Sequence, residues 1–286
     1  MSSTMTTSLP AIALLLLAAP LAGGLLTGLD RKLTARLQGR MGPPVLQPFF
    51  DLLKLCSKEA TCQSRLQVLY AYMYLGMMVM TLTLLATGQD LLMAVFIHAF
   101  GSIALVLGAQ SVASPYSRIG AQRRIMQILA YEPVLVLLVI GLHRITGSFM
   151  ASSVPMLRAP MLFHLPLVCA AFFFCLLIKM EKSPFDIATS HHAHQELVKG
   201  ITVEYSGPLL AVLEIAHYYE VFMLYAVIAF FWSTSVVPGL LLAAAYFVAQ
   251  CVADTSTARL VPLRVVSFMW SFPVLLAITN VLWLYF

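Results

Sequence analysis

Glu214, His217 and Glu220 stand three residues apart within a run that is otherwise almost wholly apolar. On a helix that spacing sets each side chain beside the next along one face. Two carboxyls around an imidazole form a titratable series, and burial disfavours the charged form of every member. Such a series can take up a proton at one end and release it at the other. Interhelical hydrogen bonding is the plainer role for the same three groups. Glu204 lies just ahead of this helix and could extend the series.

Glu132 is a second candidate, inside another apolar run and followed directly by Pro133. A charge at the centre of a membrane helix costs roughly 2.5–3.5 kcal/mol on insertion scales. Proline removes one helical hydrogen bond and loosens the backbone there. A carboxyl beside such a kink can face a wet cavity; pairing with an arginine is the alternative.

These groups belong to a wider polar island. Residues 179–220 hold six of the twelve acidic residues (Glu181, Asp186, Glu196, Glu204, Glu214, Glu220) and four of the seven histidines. His191, His192 and His194 cluster within it. His-rich tracts can bind metals, but His191 and His194 supply only one pair and no third ligand is evident. No metal site is expected; a loop that changes its hydrogen bonding or protonation against a partner fits better. Ser183-Pro184-Phe185-Asp186 reads as a turn entering a helix. The five cysteines form no CxxC pair, which leaves them as small buried hydrophobes without a zinc or iron–sulfur ligand set.

The elements that must hold these groups are membrane helices. The chain is 60% hydrophobic and 10% charged, against about 25% charged in soluble domains. Its apolar residues fall in blocks of the length a bilayer requires, about 20 residues each. The expected fold is all-α, a single integral membrane domain over 1–286 with about eight transmembrane helices. The spans are 9–29, 68–87, 91–113, 125–147, 161–180, 205–232, 237–253 and 265–286. Between the first two, residues 48–59 show apolar positions at helical spacing (Phe49, Leu52, Leu53, Cys56), with Asp51, Lys54 and Lys58 on other faces. That is the pattern of an amphipathic helix lying in the membrane interface.

The charges agree with this count. Fifteen of the seventeen lysines and arginines lie at odd-to-even connections, and only Arg144 and Arg158 lie on the other side. The positive-inside rule then puts those connections in the cytoplasm and both termini outside. The basic balance thus reflects cytoplasmic loops, not nucleic-acid binding. No positively charged segment precedes Leu9, so a cleaved signal peptide is not expected. No Walker or GxGxxG loop is present, and no soluble segment is large enough for a cofactor domain.

Several segments resemble one family. Glu181-Lys182-Ser183-Pro184-Phe185-Asp186, Glu196-Leu197-Val198-Lys199-Gly200 and Val203-Glu204-Tyr205-Ser206-Gly207 are similar to the complex I subunit that floors the quinone chamber. So are Asp30-Arg31-Lys32, Gly39-Arg40-Met41-Gly42-Pro43, Leu46-Gln47-Pro48, Asp51, Leu55, Lys58-Glu59 and Tyr131-Glu132. The string from Thr189 to Glu196 departs from complex I, where that loop is more acidic. It looks like the membrane anchor of energy-converting, Ech-type [NiFe] hydrogenases, with formate hydrogenlyase anchors as near relatives.

That resemblance implies a membrane subunit with no cofactor of its own, set in the cell's inner (cytoplasmic) membrane. Its partners would be the hydrogenase large and small subunits, an iron–sulfur subunit and an antiporter-like membrane subunit. The peripheral subunits would carry the [NiFe] site and the [4Fe-4S] clusters and exchange electrons with ferredoxin. This chain would anchor them and couple electron transfer to H⁺ or Na⁺ movement. By the same resemblance, Glu132, Glu181, Asp186, Glu196, Glu204, Glu214, His217 and Glu220 would form the proton path. Arg31, Lys32, Arg36, Arg40, His191, His192 and His194 would meet the peripheral arm. A quinone-site subunit of complex I and a passive structural anchor are the alternatives. A stand-alone transporter fits least, since the internal repeats of such folds are missing.

Overall fold

A computed structural model describes residues 9–61, 64–186 and 200–285. His191, His192, His194 and Glu196 lie outside the described residues. The architecture is all helical: α1 (Leu9–Leu37), α2 (Gln47–Cys56), α3 (Arg65–Ala86), α4 (Leu91–Gln110), α5 (Pro115–Thr146), the short α6 (Met161–His164), α7 (Pro166–Lys179), α8 (Gly207–Phe230), α9 (Val236–Ser256), α10 (Pro262–Ser271) and α11 (Pro273–Trp283). Seven segments are long and apolar enough to cross a bilayer: α1, α3, α4, α5, α8, α9 and the joined α10–α11. The fourteen-residue α7 is apolar but shorter. It falls within the expected fifth span.

The termini of several helices differ from expectation, each for a local reason. Pro115 opens α5 ten residues ahead of the expected span; the ring lacks an N–H, which the first helical position does not need. The fifth span starts with Pro166, and its free backbone amides are met from another helix. Asn280 Oδ1 accepts from Leu167 N at 2.8 Å and Val168 N at 3.1 Å, while Asn280 Nδ2 donates to the His164 carbonyl at 3.1 Å. Buried in α11, Asn280 is thus a helix cap delivered in trans where no water is at hand. The eighth span is broken in two at Phe272, because Pro273 cannot continue the helical ladder. The helix expected after the first span is α2, with Phe50 and Leu53 exposed along it.

Close approach of helices sets the bundle's shape. A Cβ at Gly23 would lie 2.0 Å from the Tyr218 carbonyl oxygen, and one at Gly28 would lie 1.9 Å from that of Val45. Glycine at these two positions lets α1 press against α8 on one side and the α2 entry loop on the other. Tyr219 O–H donates to the Leu16 carbonyl at 2.8 Å, fixing α1 to α8 again. α3 and α4 pack as a hairpin, opened by two side-chain caps. Ser64 accepts from Leu66 N, and Asp90 accepts from Leu92 N. The core runs between α5, α7, α8 and α11, around Tyr131, Phe172, Leu176 and Ile228.

Candidate functional site: a buried ionisable cluster under a charged cavity

Side chains of α3, α4 and α7 converge on Glu220 of α8, which is 1% exposed. Lys179, at the end of α7, places Nζ 2.8 Å from Glu220 Oε1. Tyr74 of α3 donates its hydroxyl to Glu220 Oε2 at 3.0 Å. His98 of α4 sets Nε2 3.4 Å from Oε1, close enough for an electrostatic contact without hydrogen-bond alignment. His217, one turn back on α8, sets Nδ1 3.7 Å from Oε2. Lys179 also donates to Ser102 Oγ at 2.9 Å and lies over the Tyr131 ring, 4.2 Å from its centroid. The Tyr131 hydroxyl completes the set by donating to Ser102 Oγ at 3.2 Å. A buried ammonium and carboxylate persist only when paired and hydrogen-bonded on their remaining sides. Here both conditions are met.

Above the cluster opens a cavity of about 720 Å³. Arg31, Arg40 and Asp51 line one wall; Arg124, Glu181, Glu214 and His217 line the other. Arg124 is itself buried and reaches Glu181 Oε1 at 3.3 Å and Gln127 Oε1 at 3.2 Å. Glu181 holds a left-handed backbone, φ 53°, which turns the chain out of α7 beneath that arginine. Toward the other end of the bundle His98 lines a small cavity of about 70 Å³ whose remaining walls, Thr81 apart, are apolar. The polar series therefore runs from the cavity to Glu220 and meets hydrocarbon beyond it.

The structure brings together four of the expected path residues: Glu181, Glu214, His217 and Glu220. Glu214 and His217 face the cavity, and Glu220 lies one turn deeper, so the spacing of three is used as a series in depth. It leaves three apart. Asp186 is paired with Arg259 at 2.7 Å. Glu204 is half-buried off the cavity wall, its carbonyl accepting from Gln67 Nε2. Glu132 is half-buried on α5, and its Oε1 has no hydrogen-bond partner among the described residues. The arginine pairing open to Glu132 from sequence is not made among the described residues; Lys179 acts on it electrostatically. Arg31, Lys32, Arg36 and Arg40 are exposed; Arg31 and Arg40 line the cavity, and Arg31 is held to Asp51 at 3.1 Å.

Sequence reading missed Lys179, Tyr74, His98, Ser102 and Tyr131. It also counted Arg124 and Lys179 among the cytoplasmic loop charges. Both are inside the bundle, at 3% and 1% exposure, because each has a carboxylate partner there. Lys179 sits at the last position of an apolar run, where a lysine ordinarily snorkels to the interface; its burial is visible only once Glu220 is placed beside it. Among the described residues no three His, Cys, Asp or Glu side chains converge as a metal site.

Fold and site define a multi-pass membrane subunit built around a buried ionisable cluster and an adjoining charged cavity. The chain belongs to the NADH dehydrogenase family, which matches residues 10–285, and is a membrane subunit of the complex I-like and hydrogenase kind. It is 32% identical over 228 residues to a Methanocaldococcus jannaschii protein described as an NADH-ubiquinone oxidoreductase, covering 77% of this chain and 76% of that one. It is 31% identical over 206 residues to formate hydrogenlyase subunit 4 of Escherichia coli, covering 66% of each. It shares its fold with a chain of the membrane-bound sulfane sulfur reductase, an archaeal respiratory membrane complex, at a TM-score of 0.86 and 24% identity, covering 96% of this chain and 98% of that one.

Proposed function

We propose that this chain is the membrane anchor of a ferredoxin-linked [NiFe] hydrogenase and couples its electron transfer to ion translocation. The supporting observation is the series Glu214–His217–Glu220, which connects a charged cavity to a buried carboxylate already held by Lys179. The exposed basic rim of Arg31, Lys32, Arg36 and Arg40 is the docking surface for the peripheral subunits, which hold the [NiFe] site and the [4Fe-4S] clusters. The rim and cavity face the cytoplasm, and the chain lies in the inner membrane beside an antiporter-like subunit.

Redox change in the docked arm alters the charge above the cavity. His217 takes up a proton from it and, as a cation, competes with Lys179 for Glu220. Two cations cannot share one buried carboxylate without cost, since Coulomb terms are large at low effective dielectric. Lys179 then weakens its hold and acts on Glu132, the buried carboxyl within its electrostatic reach. Glu132 relays the change to the neighbouring membrane subunit.

Glu132→Gln and Glu214→Gln test this in the whole complex. Both variants should assemble and retain hydrogenase activity with soluble electron carriers, yet lose ion-coupled turnover in vesicles. Unchanged coupling in both would leave the chain a passive anchor. The cavity's volume also falls in the range of small-molecule sites, about 300–1,000 Å³, and this favours the quinone-site reading as the second choice. Nickel and iron in the purified complex support the hydrogenase; flavin with bound, reducible quinone supports the alternative.

A further inference from the structure

A second polar cluster surrounds Asp30 on α1, which lines the same large cavity as Glu214 and His217. Lys182 Nζ lies 2.6 Å from Asp30 Oδ2 and 3.2 Å from Asp254 Oδ2. Two carboxylates against one ammonium leave a net charge of −1 (−2 + 1). Of the nearest other cations in sequence, Arg31 holds Asp51 and Arg259 holds Asp186, while Lys32 is exposed to solvent. Asp30 is 4% exposed, while the Asp254 side chain is partly open at 21%.

On the other side of Asp30, Gln250 Nε2 approaches Oδ1 at 3.4 Å and Cys251 Sγ at 3.3 Å. Two oxygens are buried without a hydrogen-bond partner, Gln250 Oε1 and the Tyr225 hydroxyl, and Thr34 Oγ1 has only the Cys251 thiol beside it. Gln250 is fully buried and Tyr225 nearly so. Because the Gln250 amide nitrogen meets Asp30, the oxygen of the same amide is beside that carboxylate. Thr34 lies one helical turn beyond Asp30, next to Cys251, and Tyr225 is within electrostatic reach of both Asp30 and Cys251. A buried polar atom left without a partner costs about 1–3 kcal/mol, and such atoms gathered in one place call for a water or an ion.

The chemistry of the donors selects the ion. Carboxylate, amide and hydroxyl oxygens suit hard cations. A residual charge of −1, with Lys182 already on the other carboxylate faces, suits a monovalent one. Asp30 and Thr34 also line the large cavity, which supplies a hydrated route in. We propose that Asp30, Thr34, Gln250 and Tyr225 form a binding site for Na⁺ between α1, α8 and α9.

The test is direct ²²Na⁺ binding to the intact purified complex in choline chloride, with melting followed as NaCl replaces choline at constant ionic strength. Wild type should bind Na⁺ and melt at a temperature that rises saturably with NaCl. Gln250→Leu and Thr34→Val should each weaken the apparent Na⁺ affinity tenfold or more, and Gln250→Glu should tighten it. Na⁺ held by partner subunits is common to all four preparations and cancels in the comparison. Identical binding and melting in wild type, Gln250→Leu and Thr34→Val would overturn the site and leave buried water as the filling. If Gln250→Leu does not assemble, Thr34→Val, which removes a single hydroxyl, decides the matter by the same comparison. No electron donor is present, so the coupling reading stands or falls separately.

Discussion

Trp270 donates its indole N–H to the carbonyl of Leu129 at 3.3 Å, across 141 residues of sequence. Leu129 is the residue whose helical donor would be the amide of residue 133, and residue 133 is proline. Loosening of the helix at Pro133 is therefore compensated from α10, and α5 continues unbroken past Glu132. Within a bilayer no water can take the donor's place. Trp270→Phe should cost about 1 kcal/mol, measured by thermal or denaturant unfolding in detergent. Pro133→Ala restores the missing amide and should make the same tryptophan change nearly neutral. A cost that persists in the Pro133→Ala background would assign the tryptophan's contribution to packing alone.

The Lys179–Glu220 pair predicts an asymmetry between single and double changes. Lys179→Met leaves a buried carboxylate unpaired and should cost about 3–5 kcal/mol. Lys179→Met with Glu220→Gln removes both charges and should recover most of that loss. Equal destabilisation in the single and double variants would mean that the two charges are not coupled in the folded protein.

What could be read from sequence divides along physical lines. Hydropathy reports each span by itself, so the seven long spans, the shorter α7 and the amphipathic α2 were visible. The Glu214, His217 and Glu220 series was visible too, because spacing along one helix is a local property. Partners across helices are not local. Tyr74 meets Glu220 over 146 residues and Lys179 meets it over 41, and nothing in either segment names the other. Asn280 reads as one polar residue in an apolar run until α7 is seen to begin with unmet amides. Basic residues mislead in the same way: Arg124 and Lys179 sit at span ends, where loop charge is the ordinary reading.

Gly23 and Gly28 should tolerate almost no side chain. A Cβ at Gly23 would lie 2.0 Å from a backbone oxygen that cannot swing aside. Gly23→Leu must separate α1 from α8 and should cost about 1–3 kcal/mol or more, seen as lost thermal stability and poor yield of the complex. Gly76 has no atom within 4 Å of a built Cβ. Gly76→Ala should leave stability unchanged or raise it slightly, since alanine is the better helix former by about 1 kcal/mol.

Lys182 supplies a pH signature. Burial alone would lower its pKa, but Asp30 and Asp254 outweigh burial and hold it above the ordinary lysine value. A group raised in the folded state contributes stability that is complete below its unfolded pKa, about 10.4 for lysine. That stability is lost only as pH rises through the higher folded value. Lys182→Met should therefore destabilise the protein by about 3 kcal/mol or more, and by the same amount from about pH 7.5 to about pH 9. The deficit should narrow only in stronger alkali, where the wild-type ammonium itself is lost. A deficit that closes between those two pH values would mean that the amine is already neutral there and that the two aspartates do not hold it as a cation.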